Sequence, residues 1–295
     1  MAQNNNTNTS QVSGAEKVSL LQQSQQFEPL AANAEAEPTA APPAGWTVVA
    51  STDPPKSADT YGLFAKIYER TGPVLPGQTK YAIAFRGTDK FSDFSDMTSD
   101  ADIALRRLPD QYWKGLEFVE QTCEKNNINP ADVTFTGHSL GGYLARTIGI
   151  TLGAKHIWTF NAPGPPDRIE QQLEHQIPGI SAPAGNGLVQ IRSADDLVSA
   201  WGYKNDGITI SVNTAGSPHG LANLNQAITE TIKNEPITPV AAAPHKRRFL
   251  SAIFGAVTKV TEKLALSKDT NSDIARMMDT GVQNTVRAKP PTGPS

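Results

Sequence analysis

The spacing of hydrophobic residues along this chain separates a central region from two tails. Residues 1–44 hold few large apolar side chains and are rich in Asn, Gln, Ser, Ala and Pro. A segment of this composition buries too little apolar surface to offset the entropy lost on ordering, which predicts a disordered arm over residues 1–44. Between residues 45 and 235, short apolar runs alternate with stretches whose apolar residues recur every three or four positions. This alternation predicts one folded domain.

The apolar runs of the central region predict strands, and its periodic stretches predict helices. The predicted strands are, in chain order, WTVVA, KYAIAFRGTD, DVTFTG, HIWTFNAPG, GLVQIRS and GITISV. The predicted helices are SADTYGLFAKIYERTG, DQYWKGLEFVEQTCEKN, SLGGYLARTIGITLG, residues 168–175 and GLANLNQAITETIK. Strands that alternate with helices favour a mostly parallel sheet with helices on both faces, so the predicted fold class is α/β.

The C-terminal region has its own pattern. Prolines mark residues 236–245 as a linker, and helical periodicity returns over residues 246–266 behind the basic start Lys246, Arg247 and Arg248. An amphipathic helix of this kind is typical of peripheral contact with an anionic membrane, but it can equally pack on its own domain or on a second copy. Residues 267–295 are predicted to be largely disordered. From residue 240 onward nine Lys and Arg stand against four Asp and Glu, whereas residues 1–44 hold one Lys and four Glu, so the tails carry opposite charge.

Composition excludes several classes of protein. The formal net charge of -3 argues against a nucleic-acid-binding protein. The single cysteine, Cys123, excludes an intramolecular disulfide framework and an all-cysteine metal site. The first residues lack the basic start and apolar run of a cleaved secretory signal, and no run approaches the roughly 18 apolar residues of a membrane span. The protein is therefore expected in the cytoplasm, at a membrane surface, or outside the cell by a route that needs no cleaved signal.

One serine stands where a predicted strand becomes a helix. GHSLG, residues 137–141, fits the pattern G-x-S-x-G, which presents a nucleophile in this strand-to-helix context. The sharp turn requires minimal side chains two positions before and after the serine, as Gly137 and Gly141 provide. Ser139 is thus the candidate nucleophile, and the backbone N–H of Leu140 at the start of the helix can stabilise an oxyanion. The alternative is a glycine-rich corner whose serine only caps a helix.

A nucleophilic serine needs a base and an acid, and in this fold they follow in the order serine, acid, histidine. Four of the five histidines precede any suitable acid or lie in the proline-rich linker: His138, His156, His175 and His245. His219, just ahead of the last predicted helix, remains as the candidate base. Asp195 and Asp196 follow a predicted strand and are both candidates for the acid. By residue type alone, His219 and the two aspartates could equally be solvated loop side chains.

A second oxyanion donor is expected from a loop after an earlier strand. AIAFRGTD provides one, because Gly87 permits a close backbone approach and Thr88 can offer its N–H. Acyl transfer through serine, histidine and aspartate requires no metal ion and no cofactor, and none is expected here.

Five motifs occur together in this chain, in the order AFRGTD, TGHSLGG, FNAPG, DLV and PHG. Their order and approximate spacing resemble the class 3 lipase family, the fungal-lipase-like branch of the α/β-hydrolases, over roughly residues 46–233. The resemblance implies an α/β-hydrolase fold, a triad of Ser139, His219 and Asp196, and oxyanion donors at Thr88 and Leu140. It selects Asp196 over Asp195 because the family's acid is followed by an aliphatic pair. The family usually has proline after that pair, where this chain has Ser199, and its fungal members are secreted with disulfides.

The function predicted from these residues is hydrolysis of acyl esters of lipids, of triglyceride or phospholipid type, by a serine esterase. The alternative is a catalytically silent hydrolase fold that serves as a membrane- or partner-binding scaffold. Residues 89–108 lie where lipases of this kind place a lid. Their pattern fits a weakly amphipathic lid and a plain solvated loop equally well.

Overall fold

The computed structural model describes residues 12–52, 62–75, 78–87, 97–164, 187–200 and 207–234, with the side chains of 97–109 excepted. Several predictions lie outside these residues: the short helix at 168–175, the linker 236–245, the helix 246–266 and the tail 267–295. Thr88 and residues 89–96 of the predicted lid segment also lie outside them.

Within the described residues, seven strands form one sheet, and strands that follow each other in the sequence are neighbours in the sheet. They are β1 (Trp46–Ser51), β2 (Ala65–Arg70), β3 (Tyr81–Phe85), β4 (Val133–His138), β5 (His156–Phe160), β6 (Leu188–Ser193) and β7 (Ile208–Val212). Strands β1, β2 and β3 pair antiparallel, whereas β3 to β7 are parallel. The carboxyl ends of β3 to β7 therefore meet at one edge of the sheet, where sites in such sheets are found.

Helices cover both faces of this sheet. The described helices are α1 (Gly14–Ser24), α2 (Glu28–Glu35), α3 (Met97–Lys125), α4 (Ser139–Thr151), α5 (Leu197–Ala200) and α6 (Leu221–Lys233). Helices α3 and α4 contribute to the core on one face, and α1, α2 and α6 contribute to the core on the other. Strand β3 serves both cores, because Ile83 and Phe85 face the first while Ala82 and Ala84 face the second. The predicted α/β-hydrolase fold, a mostly parallel sheet with helices on both faces, is confirmed.

The N-terminal segment corrects one prediction. Residues 14–35 were expected to be disordered, but they form α1 and α2 and pack on the sheet. Leu21 and Leu30 are fully buried, and the ring of Phe27 stacks on that of Trp158 with the ring centroids 5.6 Å apart. The overall composition does not reveal this packing, because only a few large residues hold α1 and α2 on the sheet. The alanines of α2 pack against the alanines of β3 in the same core. The folded domain therefore begins well before residue 45.

Strand β2 corrects a second prediction. The stretch SADTYGLFAKIYERTG was expected to be a helix, but its residues Ala65–Arg70 form a strand between β1 and β3. Ile67 faces one core and Tyr68 faces the other, so both are fully buried. A strand buried on both faces loses the alternation of apolar and polar residues that would identify it, and its apolar residues then match helical spacing by chance.

Helix α3 confirms its predicted buried face but begins earlier than expected. Tyr112, Leu116, Val119 and Cys123 all lie in the core. The helix starts at Met97, so the second part of the predicted lid segment is helical in its backbone. Cys123 is a free, buried thiol, and burial raises its pKa to about 11. It behaves as a small core residue, as a buried thiol is expected to.

Candidate active site

Ser139 lies at the junction of β4 and α4, at the carboxyl edge of the sheet. Its φ angle is +54°, in the left-handed region that residues other than glycine rarely adopt. A residue held there stores backbone strain, which surrounding structure must maintain and which is found preferentially at functional sites. The serine is 2% exposed, at the N-terminal end of a helix whose backbone N–H groups favour negative charge.

The glycines around Ser139 are required by close backbone contacts. A Cβ atom at Gly137 would lie 2.4 Å from the carbonyl oxygen of Gly141. A Cβ atom at Gly141 would lie 2.2 Å from the carbonyl oxygen of Phe85 in β3. Both distances are far shorter than a van der Waals contact, and the atoms that a Cβ would clash with are backbone atoms, which cannot rotate away. The turn therefore has no room for a side chain at either position, as its sequence predicts.

Gly141→Ala is expected to destabilise the fold by more than about 3 kcal/mol, because neither the β3 backbone nor α4 can move away cheaply. Gly153→Ala is the matched control, since Gly153 has φ +67° and a Cβ atom added to it would meet nothing within 4 Å. The control should lose only the roughly 1–2 kcal/mol of a left-handed alanine. Thermal melting measures both variants, and equal melting temperatures would contradict the close approach of α4 to β3.

His219 and Asp196 lie beside Ser139. Nε2 of His219 is 2.9 Å from Oγ of Ser139, and Nδ1 of His219 is 3.1 Å from each carboxylate oxygen of Asp196. Asp196 follows β6 and His219 follows β7, so parallel strands deliver both side chains to the same edge. The structure thus brings together three of the residues predicted from the sequence. A chain of hydrogen bonds from carboxylate through imidazole to hydroxyl is the arrangement that can activate a serine as a nucleophile.

The Asp196 carboxylate is held in place by the backbone of α5. Oδ1 accepts a hydrogen bond from the Val198 N–H and Oδ2 accepts one from the Ser199 N–H, both at 3.1 Å. Burial acts to raise the pKa of Asp196, but hydrogen bonds from His219 and Ser199 outweigh burial and lower it. The side chain is therefore an ionised, buried acceptor, whereas Asp195 is exposed.

Asn161 holds the loop that carries His219, and sequence reasoning assigned it no role. Its Nδ2 donates to the carbonyl oxygens of Pro218 and His219, both at 3.0 Å, and its Oδ1 accepts from the Ser193 N–H at 2.8 Å. The residue is fully buried with φ +44°, a conformation that asparagine tolerates better than most residues. An asparagine directly after a buried strand, in the motif FNAPG, was the sequence signal for this role.

His138 precedes any suitable acid in the sequence and is not a candidate base, and in the structure its two ring nitrogens contact Glu35 and the backbone of His219. Its Nδ1 lies 2.6 Å from Oε1 of Glu35, and its Nε2 lies 2.8 Å from the carbonyl oxygen of His219. Its ring is tilted against the ring of His219, with centroids 4.9 Å apart. Glu35 belongs to the segment predicted to be disordered, so no sequence pattern linked it to this site.

Of the two predicted oxyanion donors, the structure describes Leu140 but not Thr88. Leu140 is buried in the first turn of α4, directly after Ser139. Thr88 lies outside the described residues, but the preceding Gly87 is next to the serine, since a Cβ at Gly87 would be 3.3 Å from Cβ of Ser139. The loop after β3 therefore reaches the nucleophile.

Two further properties concern only the part of the chain that the structure describes. There, no group of three or more His, Cys, Asp or Glu side chains is placed to hold a metal ion. No helix in those residues is long and apolar enough to cross a membrane.

Comparison with known proteins gives a family match and several distant structural matches. The model of the phospholipase-like family described as the Tle-like phospholipase domain matches residues 29–259. This match extends beyond both predicted domain boundaries, residues 45 and 235. No curated protein sequence matches the chain significantly.

Solved structures similar to this chain include a lipase and two esterases. Extracellular lipase LipA of Serratia marcescens is 16% identical, with a TM-score of 0.38, over 65% of this chain and 40% of the lipase. The carboxylesterase EstE1 from a metagenomic library is 14% identical, with a TM-score of 0.30, over 74% of this chain and 97% of EstE1. Esterase 2 of Thermogutta terrifontis is 16% identical, with a TM-score of 0.31, over 67% of this chain and 94% of the esterase. This chain thus matches less than half the length of the Serratia lipase.

Proposed function

We propose that this chain, which belongs to the Tle-like phospholipase domain family, hydrolyses acyl esters of phospholipids through a triad of Ser139, His219 and Asp196. Family membership makes the chain a carboxylic ester hydrolase with a lipase-like α/β-hydrolase fold. The phospholipid class of substrate follows the description of the family. The narrower assignment to the class 3 lipase family, which rests on the five sequence motifs, stays a prediction.

The observation that carries the proposal is the unbroken hydrogen-bond chain from Asp196 through His219 to Ser139. The serine sits in a strained left-handed conformation at the end of a strand, which holds its hydroxyl at the carboxyl edge of the sheet. The acid is buried and the base is partly exposed, with 2% and 16% of their side chains accessible. A base that solvent and substrate can reach, backed by an acid that they cannot, suits general acid–base catalysis.

In the proposed reaction, Oγ of Ser139 attacks the ester carbonyl carbon as Nε2 of His219 takes the hydroxyl proton. Asp196 holds Nδ1–H and stabilises the imidazolium that forms. The carbonyl oxygen becomes an oxyanion, and the proposed donors to it are the backbone N–H groups of Leu140 and Thr88. The positive end of α4 adds to this stabilisation because it points at the developing negative charge.

The tetrahedral intermediate then collapses, and His219 gives its proton to the oxygen of the leaving alcohol. The alcohol or lysolipid departs and the acyl group remains on Ser139 as an ester. Water, deprotonated by His219, attacks this acyl-enzyme, and the second collapse releases a fatty acid and restores the Ser139 hydroxyl. No step in this sequence requires a metal ion or an oxidant.

A panel of substrates tests the phospholipid assignment. Fatty-acid release is measured from phospholipid vesicles, phospholipid–detergent micelles, a triglyceride emulsion and a soluble short-chain ester, with Ser139→Ala as the blank. The proposal predicts faster release from phospholipid than from triglyceride. Faster release from triglyceride would contradict the phospholipid assignment, although the protein would still be an ester hydrolase. A folded wild-type protein that cleaves none of the four would favour the scaffold hypothesis.

The proposal includes peripheral contact with an anionic membrane through the sequence 246–266. Replacing Lys246, Arg247 and Arg248 by Gln is expected to weaken binding to anionic vesicles roughly 100-fold, because each basic residue near such a surface contributes about 1 kcal/mol. Vesicle sedimentation measures the binding, and hydrolysis of the soluble ester should stay unchanged.

The matched control removes three positive charges elsewhere in the same tail, by changing Arg276, Arg287 and Lys289 to Gln. Its vesicle binding should be close to that of the wild type. Equal loss in both variants would show that net charge alone attracts the tail. Loss of soluble-ester activity in the first variant would show that the segment packs on the catalytic domain instead.

A further inference from the structure

His138, the residue directly before the nucleophile, contacts hydrogen-bond acceptors with both nitrogens of its ring. One acceptor is the Glu35 carboxylate at 2.6 Å, and the other is the main-chain carbonyl of His219 at 2.8 Å. A carbonyl oxygen cannot donate, so Nε2 of His138 must carry the proton in that contact. The Glu35 carboxylate is also an acceptor, so Nδ1 must donate to it, and His138 makes both contacts as a doubly protonated imidazolium that the negative charge of Glu35 stabilises.

We propose that Glu35 and His138 form a positioning pair that fixes the backbone of His219 and so holds its Nε2 against Oγ of Ser139. The inference rests on the proposed serine hydrolase mechanism and deepens it, by assigning a role to two residues outside the triad. Glu35 orients His138, and His138 holds His219. Neither residue exchanges a proton with the substrate.

The backbone of His219 needs such support because the residue lies in the loop between β7 and α6. Its carbonyl oxygen accepts two hydrogen bonds, from His138 at 2.8 Å and from Asn161 at 3.0 Å, and both donor side chains are buried. These donors approach from the ends of two different strands, β4 and β5. A displacement of about 1 Å at a reacting group can cost roughly 100-fold in rate, so fixing this carbonyl has direct consequences for catalysis.

The position of Glu35 gives the N-terminal helices a part in the site. Glu35 is the last residue of α2, which packs on the sheet through Leu30, Ala31 and Ala34. Its Oε1 would lie 3.3 Å from a Cβ atom at Gly87, so the carboxylate also borders the loop that leads to Thr88. The carboxylate thus lies between the loop after β3 and the residue before the nucleophile.

The electrostatic surroundings agree with a charged pair. Burial acts to lower the pKa of His138, but the hydrogen bond and the negative charge of Glu35 outweigh burial and raise it. The carbonyl of His219 and the charge of Asp196 act in the same direction. His138 therefore has a stronger tendency to keep both ring protons than an ordinary histidine, and both are used in its two contacts.

A plain structural role is the competing explanation, because a partly buried ion pair can stabilise a fold without affecting catalysis. Two substitutions of His138 separate the explanations. The amide nitrogen of Gln lies close to where Nε2 of histidine lies, so His138→Gln keeps a donor for the His219 carbonyl. The amide of Asn reaches only to the place of Nδ1, so His138→Asn keeps the contact with Glu35 and loses the contact with His219.

The experiment measures kcat and KM of the full-length chain on a soluble short-chain ester, together with the melting temperature. His138→Asn is expected to lower kcat about 100-fold with KM within about twofold of the wild type, whereas His138→Gln should retain kcat within about tenfold. Glu35→Gln should lower kcat about tenfold, because His138 loses the charge that orients it. The control is Glu37→Gln, at an exposed position two residues away, with unchanged kinetics.

The outcomes separate this inference from the proposed function. Wild-type protein that hydrolyses no ester would overturn both. Active wild-type enzyme with equal kcat in the Asn and Gln variants would overturn the positioning pair and leave the triad standing. Variants whose kcat falls only in proportion to lost melting temperature would also overturn it, since that is the structural explanation. If His138→Asn does not fold, the comparison of Glu35→Gln with Glu37→Gln decides, and equal kcat in those two would refute the pair.

Discussion

Ser139→Ala is expected to reduce ester hydrolysis by a factor of about 10⁴ to 10⁶, because the only group removed is the nucleophilic oxygen. The hydroxyl contacts Nε2 of His219, and alanine has the same backbone requirements as serine at this positive φ angle. The melting temperature should therefore stay within a few degrees of the wild-type value. Initial rates on a soluble ester, with circular dichroism of the same sample, measure both quantities.

Ser217→Ala is the control for this variant, since Ser217 is exposed in the loop that also carries His219. It should keep wild-type activity. Ser139→Ala protein that retains near-native turnover would remove the serine from the mechanism, whatever the geometry around it. If Ser139→Ala does not fold, Ser139→Gly replaces it, because glycine adopts a positive φ angle without strain and also lacks the hydroxyl.

Asp196→Asn should lower kcat by roughly 10³ to 10⁴, whereas Asp195→Asn should change it by less than about twofold. The amide would present N–H in place of one carboxylate oxygen, which favours the imidazole tautomer whose Nε2 carries the proton and cannot accept one from Ser139. It would also lose an acceptor for the N–H of either Val198 or Ser199. Asp195 is exposed, so its charge is screened by solvent.

The same kinetic assay on both variants tests this ranking, and melting curves show how much of the Asp196→Asn effect comes from stability. A larger loss in Asp195→Asn would transfer the role of the acid to that residue. Equal small losses would show that His219 is oriented by its backbone contacts alone.

The parallel half of the sheet was predictable because each of its strands is an apolar run between two clear breaks. β3 to β7 and helices α4 and α6 all appear where the spacing places them. The need for glycine at positions 137 and 141 was also predictable, since a turn this sharp leaves no room for a Cβ atom. Sequence order then led to His219, and the resemblance chose Asp196.

Other parts were not predictable from local pattern. β2 is buried on both faces, so its residues lack the alternation that identifies a strand. Helix α3 continues through Pro109, where loss of an N–H donor makes a helix boundary the natural expectation. Helices α1 and α2 are stabilised by tertiary packing more than by their own composition.

The contacts of Glu35, His138 and Asn161 were hidden for a different reason. They join residues far apart in the chain: 103 positions separate Glu35 from His138, and 58 separate Asn161 from His219. No spacing rule connects such residues, and each belongs to a type that is common at positions without a function. Their role became visible only when the sheet brought the strand ends together.

The most direct test of the central claim is to locate the covalent adduct of a fluorophosphonate probe on the wild-type protein. Trypsin releases residues 126–146 as one peptide, in which Ser139 is the only serine. This peptide is expected to carry the probe, with a fragment spectrum that places it on Ser139, and heat-denatured protein is expected to stay unlabelled. A folded wild-type protein that takes up no probe, or takes it up on another residue, would contradict the account.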